Sequence, residues 1–340
     1  MLSRTLVIIN LITLILFWGC SEPRRDRKNC VSYSYDEDNP YQKTRRNGRI
    51  KKIVETRYDI DYKFDEFFET KRDSSKYFYN ESGKLVESHF LGITPFWVEA
   101  TDGMNKIKFR YDENQRLKSK IEFLRNGEMY RYTKYTHDSS GLLLVIESYT
   151  DSLKWDIESR ETRTYDSSKR VVRLSWWVKE SDIDSTITKY QYDNTGRLSK
   201  SIKYDKTGKR IAEQNIIYQE EQSQIIVNYQ TYPSYGMPTM SKSKTVMYFN
   251  DSCNLSVRTS VTRDYDRTIC RKTTFNAIGD VVETIEFVPK ENVLEFPKEV
   301  DLSKVKVLNS AKYTYTTDKQ GNWIERHDKT SVVKRMITYY

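Results

Sequence analysis

Apolar and charged residues alternate along most of this chain, and one recurring phrase punctuates the alternation. Across residues 106–111, Ile107, Phe109 and Tyr111 fall on one side and Lys106, Lys108 and Arg110 on the other. Past residues 112–116 the pattern resumes, with Leu117, Ile121 and Phe123 opposite Lys118, Lys120 and Glu122. A period of two marks half-buried antiparallel strands. The punctuation is Tyr-Asp-x-x-Gly-Arg-Leu, clearest at Tyr192-Asp193-Asn194-Thr195-Gly196-Arg197-Leu198.

Copies of the phrase begin at Tyr79, Tyr111, Phe123, His137, Tyr165, Tyr204, Phe249, Phe275 and Thr317, and a worn copy ends in Asn47-Gly48-Arg49-Ile50. Such self-similarity sets the architecture before any single residue does. In each copy the Asp or Asn accepts hydrogen bonds from the backbone ahead of it and so starts a turn. The glycine four places after the aromatic residue suits the left-handed conformation that closes a type I turn with a bulge. Turns are therefore expected near Gly83, Gly196, Gly208, Gly279 and Gly321, with Gln115, Lys169 and Cys253 as less comfortable occupants of the same place. The unit is a β-hairpin, and about eleven hairpins imply about twenty strands. A flat sheet of that size would leave its aromatic face in water, so it must curl or fold into packed layers. The expected fold is all-β, a long antiparallel meander of about twenty strands. Tyrosine suits it because the ring packs while the hydroxyl stays at a wet edge.

The phrase resembles the YD repeat of the RHS/YD-repeat proteins, and Asp318-Lys319-Gln320-Gly321-Asn322-Trp323 is similar to a variant ending found in such repeats of Bacteroidota lipoproteins. The resemblance covers approximately residues 50–340. It implies a bacterial surface or secreted protein whose extended β-sheet curls into a shell. There is no sign of the toxin cargo domain that many RHS proteins carry, so it does not imply toxin activity.

The ends add a location. Residues 1–19 have a signal-peptide layout, with Arg4, an apolar run broken only by Asn10 and Thr13, and the small Gly19. Leu16-Phe17-Trp18-Gly19-Cys20 resembles a lipobox, which makes Cys20 the expected lipidation site; an uncleaved anchor is the alternative, but the run is short for a bilayer. Ser21 in place of the aspartate that signals inner-membrane retention favours the outer membrane, with the face left open. Residues 20–44 form a linker whose Arg24, Arg25, Arg27 and Lys28 suit anionic head groups as well as plain solvent. Residues 45–340 form the repeat domain, with irregular inserts near 231–241 and 289–310, the second with room for one helical turn. The net charge of +9 is spread among both signs, which excludes a nucleic-acid footprint.

Candidate chemistry is sparse. Three histidines and the cysteines show no metal-ligand spacing, and neither a metal nor a cofactor is expected. Asp182 and Asp184 begin like a calcium loop but lack its glycine and closing glutamate. No Gly-x-Ser-x-Gly elbow occurs, and a facing pair of catalytic carboxylates has no sequence signature here. Cys253 and Cys270 are a candidate disulfide, leaving Cys30 single. Most aromatic residues read as the core face of the sheet. Trp176 and Trp177 are adjacent, so a strand sends them to opposite faces and leaves one more exposed. Together with Tyr232, Tyr235 and Met237 they form the candidate contact surface. The expected function is a non-catalytic, lipid-anchored envelope protein whose repeat sheet is a scaffold or protein-binding surface. A glycan-binding module using exposed aromatics is the alternative, and an envelope enzyme comes third.

Overall fold

A computed structural model describes residues 48–63, 66–92, 104–150, 156–179, 185–233, 240–264, 267–289 and 305–340. The chain forms one antiparallel meander. Its first strands are β1 (Ile50–Lys63), β2 (Glu66–Tyr79), β3 (Leu85–Gly92), β4 (Met104–Tyr111), β5 (Leu117–Leu124), β6 (Met129–His137) and β7 (Leu143–Tyr149). Next come β8 (Ile157–Tyr165), β9 (Val171–Val178), β10 (Thr186–Tyr192), β11 (Leu198–Asp205), β12 (Arg210–Gln219), β13 (Gln224–Thr231) and β14 (Lys242–Phe249). The last are β15 (Leu255–Asp264), β16 (Arg267–Phe275), β17 (Val281–Pro289), β18 (Val305–Lys312), β19 (Thr314–Thr317), β20 (Trp323–His327) and β21 (Ser331–Tyr339). β18 starts inside the span expected as the second insert, whose residues 290–304 lie outside the described ones.

Each strand pairs with the next, except that β18 and β19 run on in line across Tyr313. The last strand returns to the first: β21 pairs with β1 from Ile50↔Tyr339 to Asp59↔Ser331, fastened by an ion pair of Arg335 Nε with Glu55 at 2.8 Å. The twenty-one strands thus make one nearly closed, barrel-like sheet. The curl expected from the buried aromatic face is what the chain adopts.

Apart from the copy at Phe123, which has Leu124 in place of the Asp or Asn, the phrases produce the same local event. The Asp or Asn takes the N–H groups two and four residues on, as Asp193 does from Thr195 and Arg197. The register then shifts by one residue at the aromatic position, between Arg110 and Tyr111, Gln191 and Tyr192, and Tyr248 and Phe249, among others. This bulge corrects one expectation. Leu117 faces the same side as Tyr111, but one extra residue flips the remainder of β5, so Ile121 lies opposite Lys108 and Phe123 opposite Lys106. Glu122 instead stands beside Ile107 on the apolar side, 8% exposed and bridged to Lys120 at 3.1 Å. A one-residue slip moves every later side chain to the other face.

Buried residues consequently occur on both faces. One cluster gathers Leu174, Tyr190, Leu198, Ile216, Ile225, Val227, Met247 and Leu255. Val261, Cys270, Ile285 and Phe287 form another, on the opposite face of the neighbouring strands. The expected Cys253–Cys270 bridge is absent. Cys270 is a free, buried thiol whose pKa burial pushes up to about 11, whereas Cys253 is disulfide-bonded; Cys30, expected to be single, lies outside the described residues. The geometry forbids the pairing of Cys253 with Cys270. Cys253 sits in the β14–β15 turn, and Cys270 lies opposite Val261, eight residues further along β15 or about 25 Å away; a disulfide needs Cα atoms within about 7 Å.

Candidate functional site

A meander has two rims, and here they differ. The connections at residues 80–84, 112–116, 138–142, 166–170, 193–197, 220–223, 250–254, 276–280 and 318–322 all lie on one rim. Each is a tight turn. The chain enters β1 and leaves β21 on that rim too. The opposite rim carries the compressed copies at residues 125–128 and 206–209, but also the connections 93–103, 150–156, 179–185, 232–241 and 290–304. All the long connections fall on that rim.

On the turn rim the phrases lock to one another. The tyrosine of one copy donates its hydroxyl hydrogen bond to the carbonyl just past the previous turn: Tyr111 to Leu85 at 2.8 Å, Tyr165 to Leu143 at 2.6 Å and Tyr192 to Val171 at 2.7 Å. The arginine binds its own turn aspartate, as Arg170 does Asp166 and Arg197 does Asp193. It also lies over the next aromatic ring, Arg170 4.5 Å from the centre of Tyr192 and Arg197 4.2 Å from Tyr218. Burial raises the Asp193 carboxyl, but hydrogen bonds from the Thr195 hydroxyl and from Arg197 outweigh it and hold the group at about 2. These contacts give the Tyr, Asp and Arg of the phrase structural roles.

The loop rim holds a different arrangement. Strands β12 to β15 bring two rows of mostly polar side chains onto one face. Glu213, Gln230, Lys242 and Arg263 are register neighbours in one row, and Asn215, Asn228, Lys244 and Val261 in the next. They line a shallow cleft of about 270 Å³, with Tyr232 at its edge. Glu213 is saturated: Lys200 Nζ lies at 2.7 Å, Arg210 at 2.6 Å, Asn215 Nδ2 donates at 3.1 Å and the Tyr232 hydroxyl at 3.3 Å. The Lys200 hydrogen bond, then Asn215, hold its carboxyl at about 2 against the effect of burial. The Arg210 guanidinium covers the Tyr232 ring at 4.3 Å.

Of the contact residues expected from sequence, Tyr232 is in this cleft. Trp176 and Trp177 do point to opposite faces, opposite Thr186 and Arg160 respectively, near the same rim. Contrary to expectation they are about equally exposed, at 39% and 44%. Trp177 shares the cleft's face, but β10, β11 and β12 separate it from Tyr232, about 19 Å at the usual strand spacing. Tyr235 and Met237, like Asp182, Asp184 and Cys20, lie outside the described residues. Sequence reasoning missed Glu213, Lys242 and Lys244. Their signal is the pairing of polar residues at i and i+2 in three successive strands, which becomes a site only once the register is known. Among the described residues no group of three or more His, Cys, Asp or Glu side chains converges to hold a metal.

No protein-family model matches this chain, and no curated protein matches it. Among solved structures it is similar to TcdB2-TccC3-Cdc42, at 10% identity and a TM-score of 0.34 over 78% of this chain. The chain spans 16% of the length of that structure's chain. A porin-like protein from Bacteroides uniformis is similar at 10% identity and a TM-score of 0.33, covering 87% of this chain and all of the other. One from Bacteroides vulgatus gives 10% and 0.29, covering 69% of this chain and 97% of the other.

Proposed function

We propose that this chain is a non-catalytic, lipid-anchored envelope protein that holds its loop rim out to a partner. The observation that carries the reading is the segregation of connections: every long one lies on the rim opposite the chain's entry into β1. An anchor at Cys20 precedes β1, so it tethers the turn rim and leaves the loop rim facing away from the membrane. Binding specificity resides most readily in loops on a rigid frame. A disulfide at Cys253 fits an exported protein, since such bonds persist in oxidising compartments.

Three outcomes test this. A fatty-acid analogue should label the wild type and not Cys20→Ala, and peptide mapping without reductant should recover the Cys253 peptide cross-linked. Pull-down from envelope extracts should return a partner that is lost when residues 232–241 are replaced by a Gly/Ser segment and kept when the 193–197 turn is replaced by another copy of the phrase. Equal labelling of Cys20→Ala would remove the anchor, and a partner indifferent to the loop rim would remove the orientation.

A further inference from the structure

We infer that one face of β4 to β9 is a binding track for an extended acidic polysaccharide, a chain of uronate sugars. The fold sorts charges that look interspersed along the sequence. Among the register-paired residues of β3 to β9, Lys106, Lys108, Arg110, Lys134, Arg160 and Arg173 stand on one face against Glu87 and Glu147. The other face is nearly balanced, with Lys120, Arg131 and Arg163 against Glu122 and Glu161. The basic surplus stands even with both carboxylates paired, Glu147 with Arg160 at 2.6 Å and Glu87 with Lys108 at 3.8 Å. A surface of one sign concentrates partners of the other.

Within that face a single register row holds the exposed groups. It runs Arg110, Ser119, Lys134, Glu147, Arg160, Trp177 from β4 to β9. Arg110, Lys134 and Arg160 are exposed, and so is Trp177 at 44%, whereas Ser119 is 3% exposed. Cations therefore occupy every second strand, about 9.6 Å apart at the usual strand spacing, and the small, sunken Ser119 leaves a saddle between the first two. That interval is close to the length of two linked pyranose rings. It is wide for nucleic acid, in which each strand carries a phosphate about every 3.4 Å of axis. Arg110 and Lys134 can give charge-assisted hydrogen bonds to carboxylates two sugars apart. At the far end the indole of Trp177, directly opposite Arg160, offers an apolar ring on which a sugar can stack.

The row lies on the sheet face and not among the rim loops, so it is independent of the partner sought by pull-down. Calorimetric titration of the full-length chain in neutral detergent, at low salt, would use an oligouronate, its methyl ester and a single-stranded oligodeoxynucleotide of equal charge. The oligouronate should bind tightest and the ester should not bind, with affinity falling as salt rises. Arg110→Gln and Lys134→Gln should each weaken oligouronate binding about tenfold and flatten its salt dependence. Trp177→Ala should weaken it with the salt dependence unchanged, and Lys306→Gln on β18 should alter neither. Binding of the ester as tight as that of the acid, or of the oligonucleotide as tight as that of the oligouronate, overturns the assignment. So does binding that survives the double Arg110/Lys134 substitution with the circular dichroism spectrum intact.

Discussion

Gln115, Lys169 and Cys253 hold the turn position that glycine fills in the other copies, with φ of 60°, 61° and 61°. The phrase made this legible in advance, because its spacing allows no other conformation there. A side chain in the left-handed region costs about 1–2 kcal/mol, and a glycine recovers part of that while adding freedom to the unfolded chain. Lys169→Gly and Gln115→Gly should each stabilise the protein by about 1 kcal/mol, read as a higher urea midpoint; an unchanged midpoint would show that these turns carry no strain. The turn aspartates set the response to acid. Asp193, at about 2, lies below the ordinary value near 4. A depressed carboxylate contributes stability that is complete above about pH 4 and is lost as pH falls through about 2. Asp112, Asp138, Asp166, Asp205 and Asp318 are lowered as well, so the losses accumulate over one interval. Acid unfolding should therefore steepen below pH 4, and Asp193→Asn should flatten the profile there while lowering stability at neutral pH. A parallel shift of the whole profile would place the acid sensitivity elsewhere.

At the scale of the strands, the alternating pattern revealed where each hairpin turns but not which face its second arm presents. The bulge at each aromatic residue inverts the parity, so Glu122 and Ile121 exchange the sides their spacing assigns. The cleft was hidden for a related reason. Its rows depend on the register of β12 with β13, which is set by a short helical turn at Glu220–Gln222 that lacks the phrase. Tyr232 was found from its Pro-rich surroundings, whereas nothing in the sequence singles out Lys242 and Lys244. One strand departs from the general order. β18 pairs with β17 on one side, and among the described residues its other side has no strand partner, because the short β20 pairs with β19 above it. Val307 and Leu308 on this edge are 43% and 49% exposed. An open apolar edge is a template for pairing with another chain. Val307→Lys with Leu308→Lys should reduce concentration-dependent association in light scattering, while moving the unfolding free energy by no more than about 0.5 kcal/mol. Association that persists in this variant would mean that the edge is covered in solution.

At the scale of the whole molecule, closure raises the question of what the sheet faces. The pairing of β21 with β1 makes a barrel-like ring, and a ring of strands is also how β proteins cross membranes. A spanning barrel needs one face that is apolar over about 25 Å, with alternate residues turned to lipid. Neither face here offers it. One carries Lys200, Glu213, Asn215, Asn228 and Lys244 in mid-strand. The other carries Arg258 and Arg271 on β15 and β16, and Glu161 ion-paired with Arg163 at 2.7 Å on β8. A charged side chain at the bilayer midplane costs about 2–4 kcal/mol, so several on each face exclude a stable insertion. The membrane attachment proposed above would then come from residues ahead of β1. A chain begun at Ser21 should remain in the supernatant after high-speed centrifugation without detergent, with a β-type circular dichroism spectrum, whereas the full-length chain should pellet with membranes. Recovery of the shortened chain only in the membrane pellet, folded and extractable by detergent, would mean that the sheet itself meets lipid, and the polar rows would then have to line a lumen.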